Sequence, residues 1–355
     1  MKTMNVAVIG CGTIANLQHG PSYSKNPRAE ITWCVDIIPE RAQALASMYG
    51  TASTRAAADY REMLKDASVD AVSVCVPNHL HAQISIDCLR AGKHVLCEKP
   101  AAVSYAQALQ MKAAADECGR ILNIGVVNRF NTSVNHVRDM IRAGELGDVY
   151  HVYCSFRAHR SIPGLGGMFT TKALSGGGVL IDWGVHFLDL INYCVGSPAL
   201  RSVTGAAYGK LGNDMKEYVF TDMWAGPPDY SGTYDVEDFI TGMIRTAGPT
   251  ITLNGAWAQN LDENAMFIEF LGDKAGVKLQ YSGDFTVYGA KDGMLTQTTP
   301  SYNKADMFYD ELDAFLTAAG ENVKTRGSID EVLITAKTMD ALYESARTGK
   351  EVVFG

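Results

Sequence analysis

The chain has 355 residues, more than one core usually sustains, and its 47% apolar content is enough to build two. Its 31 basic and 39 acidic residues leave a formal net charge of -8, which gives neither nucleic acid nor an anionic membrane a basic footprint. The eight cysteines (Cys11, Cys34, Cys75, Cys88, Cys97, Cys118, Cys154, Cys194) form no C-x-x-C pair and no apolar stretch approaches membrane-spanning length, so a soluble, cytoplasmic protein with reduced thiols is expected.

From Asn5 to about Val127, short β-branched runs alternate with longer amphipathic stretches, the pattern of a parallel sheet wound with crossover helices. Strands are predicted over Val6 to Ile9, Glu30 to Val35, Ala71 to Val76, His94 to Cys97 and Ile121 to Ile124, with helices such as Glu40 to Tyr49 and Ser104 to Cys118 between them. A helix over Ser133 to Ala143 leads into a strand over Asp148 to Phe156, and a second helix is predicted over Val179 to Cys194. The period then changes. Segments over Ser202 to Tyr208, Asp235 to Arg245, Thr250 to Trp257, Asn264 to Leu271 and Gly276 to Tyr281 read as an antiparallel meander. The last predicted element is a helix over Ser328 to Thr348 that opens on the Ser-x-x-Glu spacing of a capping box.

The first strand runs into Gly10-Cys11-Gly12-Thr13-Ile14-Ala15 at the mouth of a helix. In a dinucleotide-binding turn Gly10 makes the tight bend, Gly12 lets the backbone approach a pyrophosphate and Ala15 lets helix and strand pack closely, with Thr13 and Ile14 among the candidate contacts. Glycines alone also suit a strand-to-helix turn that binds nothing. The second strand, however, ends in Asp36, 26 positions after Gly10, where a carboxylate can accept from ribose hydroxyls. Asp36 on its own is equally suited to capping a helix, and the strand and glycine context favours the ligand role. Ile37, Ile38 and Pro39 follow it, with nothing to welcome a 2'-phosphate, so NAD is expected rather than NADP. The fourth segment ends in Pro77, Asn78, His79, Leu80 and His81, a polar loop at a strand's carboxyl end; Pro77, Asn78 and His81 are cofactor-loop candidates, although the two histidines also suit a helix start.

The next strand ends in Glu98-Lys99-Pro100, which is either a solvated turn or an acid and a base delivered to the same sheet edge; the strand-end position favours function. Farther on, Ser175-Gly176-Gly177-Gly178 precedes an apolar helix on which Asp182 and His186 are spaced i, i+4, with Asp189 at i+7. The trio reads equally as a polar stripe facing a pocket and as an internal bond bracing the core. No further His or Cys lies at local spacing, so no metal is expected.

The segment Val6 to Ala15, the Glu98-Lys99-Pro100 element and the segment Gly176 to Asp189 together resemble the glucose-fructose oxidoreductase, inositol dehydrogenase and rhizopine catabolism (Gfo/Idh/MocA) family, over essentially the whole chain. The resemblance implies an α/β protein: an N-terminal Rossmann doubly wound parallel sheet, then a C-terminal α/β domain with a large, mainly antiparallel sheet whose exposed face makes homo-oligomer contacts in a dimer or tetramer. The expected division is 1–127 for NAD binding and 128–355 for substrate binding and oligomerisation, with the final helix packing back on the first domain. Lys99 matches the family's active-site lysine, and Asp182 and His186 match its D-x-x-x-H element; by resemblance Arg160 is a substrate contact. Glu98 is expected to contact the cofactor and Asn128-Arg129 to hold nicotinamide or substrate. The implied activity is NAD-dependent oxidation of a secondary ring hydroxyl in a sugar, glycoside or cyclitol. The alternatives are an NAD-using glycosidase or lyase that works through a transient 3-keto sugar, and a catalytically silent nucleotide sensor.

Overall fold

A computed structural model describes residues 3–355. The chain divides into two compact units: residues up to Phe130 together with Ala305–Leu333, and Asn131–Lys304 together with Ile334–Gly355. The linear division at 127 therefore misses a return of the chain. The helix Ile329–Thr348 contributes its first turn to the first unit and the rest to the second.

The first unit is a six-stranded parallel sheet in the order β3-β2-β1-β4-β5-β6, made of β1 (Met4–Ile9), β2 (Ala29–Val35), β3 (Arg55–Ala57), β4 (Ala71–Val74), β5 (His94–Glu98) and β6 (Leu122–Gly125). Its central strands are apolar runs because helices cover both faces; Val6, Ala7 and Val8 are completely buried. The edge strand β3 is short and mostly exposed, which is why no apolar signal marked it in the sequence. The helix Met307–Glu321, also absent from the sequence reading, adds Leu312, Phe315 and Leu316 to the core formed by Val6, Val8, Tyr23, Leu45 and Leu96.

The returning segment is bound through its main-chain carbonyls and one hydroxyl. Ile124 N–H donates to the Gly327 carbonyl at 2.8 Å, and Asn123 Nδ2 donates to Thr325 Oγ1 at 2.8 Å. Arg129 is fully buried; its Nη1 donates to the Arg326 carbonyl at 2.7 Å and its Nη2 to the Glu331 carbonyl at 3.1 Å. Arg129 is thus a brace for the return segment, which corrects the expectation that it holds a ligand.

The second unit is a nine-stranded sheet in the order β14-β13-β12-β11-β7-β10-β9-β8-β15. Its strands are β7 (Val149–Arg157), β8 (Leu200–Tyr208), β9 (Phe239–Thr246), β10 (Thr250–Ala256), β11 (Ala265–Gly272), β12 (Gly276–Gln280), β13 (Phe285–Lys291), β14 (Met294–Thr298) and β15 (Val352–Val353). All ladders are antiparallel except β7 with β10, which run parallel from Thr250 opposite His151 to Ala256 opposite Arg157. The alternating residues Val152, Cys154 and Phe156 of β7 share a buried core with Phe187, Leu188 and Ile191 of the helix Val185–Val195.

The stretch Lys172–Val195 is in fact long and apolar enough to cross a bilayer, contrary to the sequence reading, but 78% of its most apolar window is buried inside the protein. It is the core helix of the second unit. All eight cysteines are unpaired, and burial pushes the thiols of Cys88, Cys97 and Cys154 well above their ordinary range.

Replacing Arg129 by Met should remove the two hydrogen bonds that the buried guanidinium makes to the return segment and lower stability by about 3 kcal/mol, since a charged donor's hydrogen bond contributes about 1.5–3 kcal/mol. Chemical denaturation followed by tryptophan fluorescence measures this; a loss below about 1 kcal/mol would contradict the brace.

Candidate active site

The glycine loop lies at the carboxyl ends of β1 and β4, where the strand order of the first sheet reverses and open α/β sheets bind ligands. Gly10 has φ 87, and a Cβ on it would lie 2.3 Å from the Cys75 carbonyl oxygen, so no other residue fits. A Cβ on Gly12 would meet nothing within 4 Å, so the main chain there is open to a group as close as a pyrophosphate. Asn16 Nδ2 donates to the carbonyls of Cys11 and Gly12, each at 2.9 Å, and fixes the loop from behind. Thr13 is exposed and Ile14 half-buried at the loop's mouth.

Asp36, at the end of β2, is 8% exposed. Its Oδ2 accepts from Cys11 N–H and its Oδ1 from Ile38 N–H, both at 2.8 Å. The two readings of this carboxylate are compatible, because each oxygen keeps a second lone pair for a ribose hydroxyl. Neighbouring Ile37 is 87% exposed and brings no cation. These residues fit a dinucleotide: Gly10 to Ile14 would lie at its pyrophosphate and Asp36 at its ribose.

Pro77 and Asn78 are half-buried and begin the turn that follows β4. His81 is different. It is 1% exposed, with Nδ1 2.7 Å from the Pro100 carbonyl and Nε2 2.8 Å from the Val76 carbonyl. Burial lowers its pKa against the pull of these two acceptors. His81 is therefore a buried tie between two loops, which corrects the expectation that it contacts the cofactor. Asn128 is also buried, at 8% exposure, in the turn Val127–Phe130.

Glu98 and Lys99 leave β5 half-buried. Glu98 Oε1 lies 2.9 Å from His19 Nε2, and Glu98 Oε2 accepts from the Lys99 N–H at 3.1 Å. Burial works to raise the Glu98 carboxyl, but His19, the Lys99 charge and the Lys99 N–H together hold it below its ordinary range, so it stays ionised. His19 gave no signal in the sequence, because only the π-helical turn Ala15–His19 turns its ring towards β4 and β5.

In the second unit Asp182 is 6% exposed, accepts from Trp257 Nε1 at 3.3 Å and sits in a π-helical turn over Leu180–Gly184; His186 follows in the α-helix, half-buried, its ring 6.1 Å from that of Tyr281. Asp189 leaves the stripe: at 2% exposure it accepts from Thr335 Oγ1 at 3.3 Å within the core. Arg160 has φ 56; it donates to Asn260 Oδ1 and lies 5.5 Å over the Tyr218 ring.

The helix start is capped from far along the chain. Glu237 Oε2 accepts from Gly178 N–H at 2.9 Å, its Oε1 accepts from Leu180 N–H at 3.1 Å and from the Tyr343 hydroxyl at 2.8 Å, and its carbonyl accepts from Val179 N–H at 3.1 Å. One residue thereby satisfies three successive donors that a helix start leaves open. A Cβ on Gly178 would lie 1.9 Å from the Glu237 carbonyl oxygen, which accounts for the glycine there. Burial raises the Glu237 carboxyl above its ordinary range, against these donors. Glu237→Gln puts an amide N–H against a main-chain N–H. The expected loss is about 1–3 kcal/mol, with a lower kcat because Asp182 and His186 ride on this helix; unchanged melting and unchanged turnover would contradict the cap.

Residues 4–126 match the oxidoreductase family described as having an NAD-binding Rossmann fold, and residues 134–278 match the GFO/IDH/MocA C-terminal domain. The chain is 32% identical over 351 residues to D-glucoside 3-dehydrogenase of Escherichia coli (strain K12), covering 98% of this chain and 97% of that protein. It shares its fold with aldose-aldose oxidoreductase from Caulobacter crescentus, at TM-score 0.83 and 23% identity over 99% of this chain and 100% of that one. It shares it also with levoglucosan dehydrogenase, solved as a complex with NADH and levoglucosan, at TM-score 0.85 and 21% identity over 99% of both chains. With both units matched and a relative alike along its length, the chain belongs to the Gfo/Idh/MocA family of oxidoreductases with an NAD-binding Rossmann fold.

Proposed function

We propose that this protein is an NAD-dependent dehydrogenase that oxidises a secondary ring hydroxyl of a glucoside to a ketone. One observation carries the reading: a lysine held at the carboxyl end of β5 occurs in the same chain as an Asp182 and His186 pair on a helix capped by a buried carboxylate. The match to D-glucoside 3-dehydrogenase supports a glucoside and its 3-hydroxyl as the reacting position.

When bound, NAD supplies the hydride acceptor. The protein's share is to orient the sugar and to manage the hydroxyl proton. His186 is assigned to take that proton, since an imidazole titrates near neutrality. Asp182, which accepts from Trp257 Nε1, is assigned to stabilise the imidazolium from the same helix. Lys99 is assigned to the substrate oxygen, where its charge offsets developing alkoxide character. Asp36 and the Gly10 to Ile14 loop bind the nucleotide, and the apolar neighbours of Asp36 select NAD over NADP.

Lys99→Ala should lower kcat by about 10²–10³-fold, the usual cost of removing one charge-stabilising group, and leave NAD affinity intact. NADH formation at 340 nm with methyl and aryl glucosides, free hexoses and inositols, together with mass spectrometry of the products, checks both claims. Glycosidic cleavage without net NADH would replace the dehydrogenase by the redox-cycling glycosidase, and full activity of Lys99→Ala would remove Lys99 from the chemistry.

A further inference from the structure

The first unit contains a buried hydrogen-bonded chain that ends beside Lys99. The Tyr23 hydroxyl is 2.8 Å from Ser73 Oγ, Ser73 Oγ is 3.0 Å from His19 Nδ1, and His19 Nε2 is 2.9 Å from Glu98 Oε1. Tyr23, Ser73 and His19 are each 1% exposed or less. A single set of proton positions satisfies every member: Tyr23 O–H donates to Ser73, Ser73 O–H donates to Nδ1, and Nε2–H donates to Glu98. The other carboxylate oxygen of Glu98 accepts the Lys99 N–H at 3.1 Å.

The carboxylate of Glu98 lies over Gly125. A Cβ on Gly125, its partner across β5 and β6, would lie 3.2 Å from the carboxylate, so Gly125 is what leaves room for it. Beyond Lys99 the turn is gripped by His81 through the Pro100 carbonyl. The lysine's backbone is thereby fixed on both sides by buried imidazoles, while its own side chain leaves from a strand end.

We propose that His19 is a positioning residue for Lys99, acting through Glu98; this rests on the reading that Lys99 works on the substrate oxygen. A small displacement of a reacting group is enough to cost a large factor in rate. Removing the His19 contact frees the Glu98 carboxylate to turn towards the lysine's ammonium or solvent, and the Lys99 N–H loses its fixed acceptor.

The test uses two polar variants of the full-length enzyme assayed with NAD and a glucoside. His19→Asn reproduces the contact to Ser73 and stops short of Glu98; His19→Gln reaches Glu98. The expected result is a tenfold or greater fall in kcat for His19→Asn, recovery to within threefold for His19→Gln, and NAD dissociation constants and melting temperatures close to those of the parent. Combined with Lys99→Ala, His19→Asn should reduce the residual rate by less than twofold, because the residue it positions is gone. The proposal is overturned if His19→Asn keeps full kcat while Lys99→Ala does not, if His19→Gln gives no recovery, or if His19→Asn costs the same factor with and without Lys99. A fully active Lys99→Ala would instead remove the reading on which the inference rests.

Discussion

A carboxylate taken out of water costs several kcal/mol unless donors replace the lost solvent, and four carboxylates in this chain meet that demand with backbone N–H groups of neighbouring loops. Asp36 takes the N–H groups of Cys11 and Ile38. Glu98 takes that of Lys99. Glu237 takes those of Gly178 and Leu180, and Asp238 Oδ2 takes those of Lys210, Leu211 and Gly212. Each acid satisfies main-chain donors that burial would leave open, and Asp36, Glu98 and Glu237 each fix a segment that carries or adjoins a candidate site residue. Loops are ordinarily mobile, and here the ones that matter are tied to acids that have no lower-energy place to go.

Two irregular turns complete this arrangement. Both π-helical segments, Ala15–His19 and Leu180–Gly184, lie in helices that follow a glycine-rich stretch, and both carry a polar residue that a buried partner receives. His19 reaches Ser73 and Glu98, and Asp182 receives Trp257. Such widened turns are rare and gather at functional sites because the extra residue re-aims the side chains around it. Asp189, farther along the same helix, accepts from Thr335 Oγ1 in the core.

Much of the architecture was legible because it rests on local pattern. The apolar runs of β1, β2, β4, β5 and β6 and the alternation of β7 to β12 follow from which faces are buried. The hairpin of β13 and β14 was not legible: every residue of β14 is exposed, so no apolar alternation marks it. The helix Met307–Glu321 was not legible either, because its return to the first unit is a long-range packing event in which Leu312, Phe315 and Leu316 join buried residues more than two hundred positions earlier.

The sequence by itself determined the chemistry on offer: a glycine loop with an acid after the second strand, a lysine at a strand end, and an aspartate and a histidine on an apolar helix, all set by residue type and spacing. The tertiary structure decided which polar residues are free to meet a ligand. His81 and Arg129 looked available, but both are buried against main-chain carbonyls, whereas His19 and Glu237, which nothing local distinguishes, hold the turn at Lys99 and the helix of Asp182. A hydrogen bond depends on where its partner lies in space. Apart from the Val76 carbonyl beside His81, the partners of these residues sit from 19 to 202 positions away, beyond any local window of sequence.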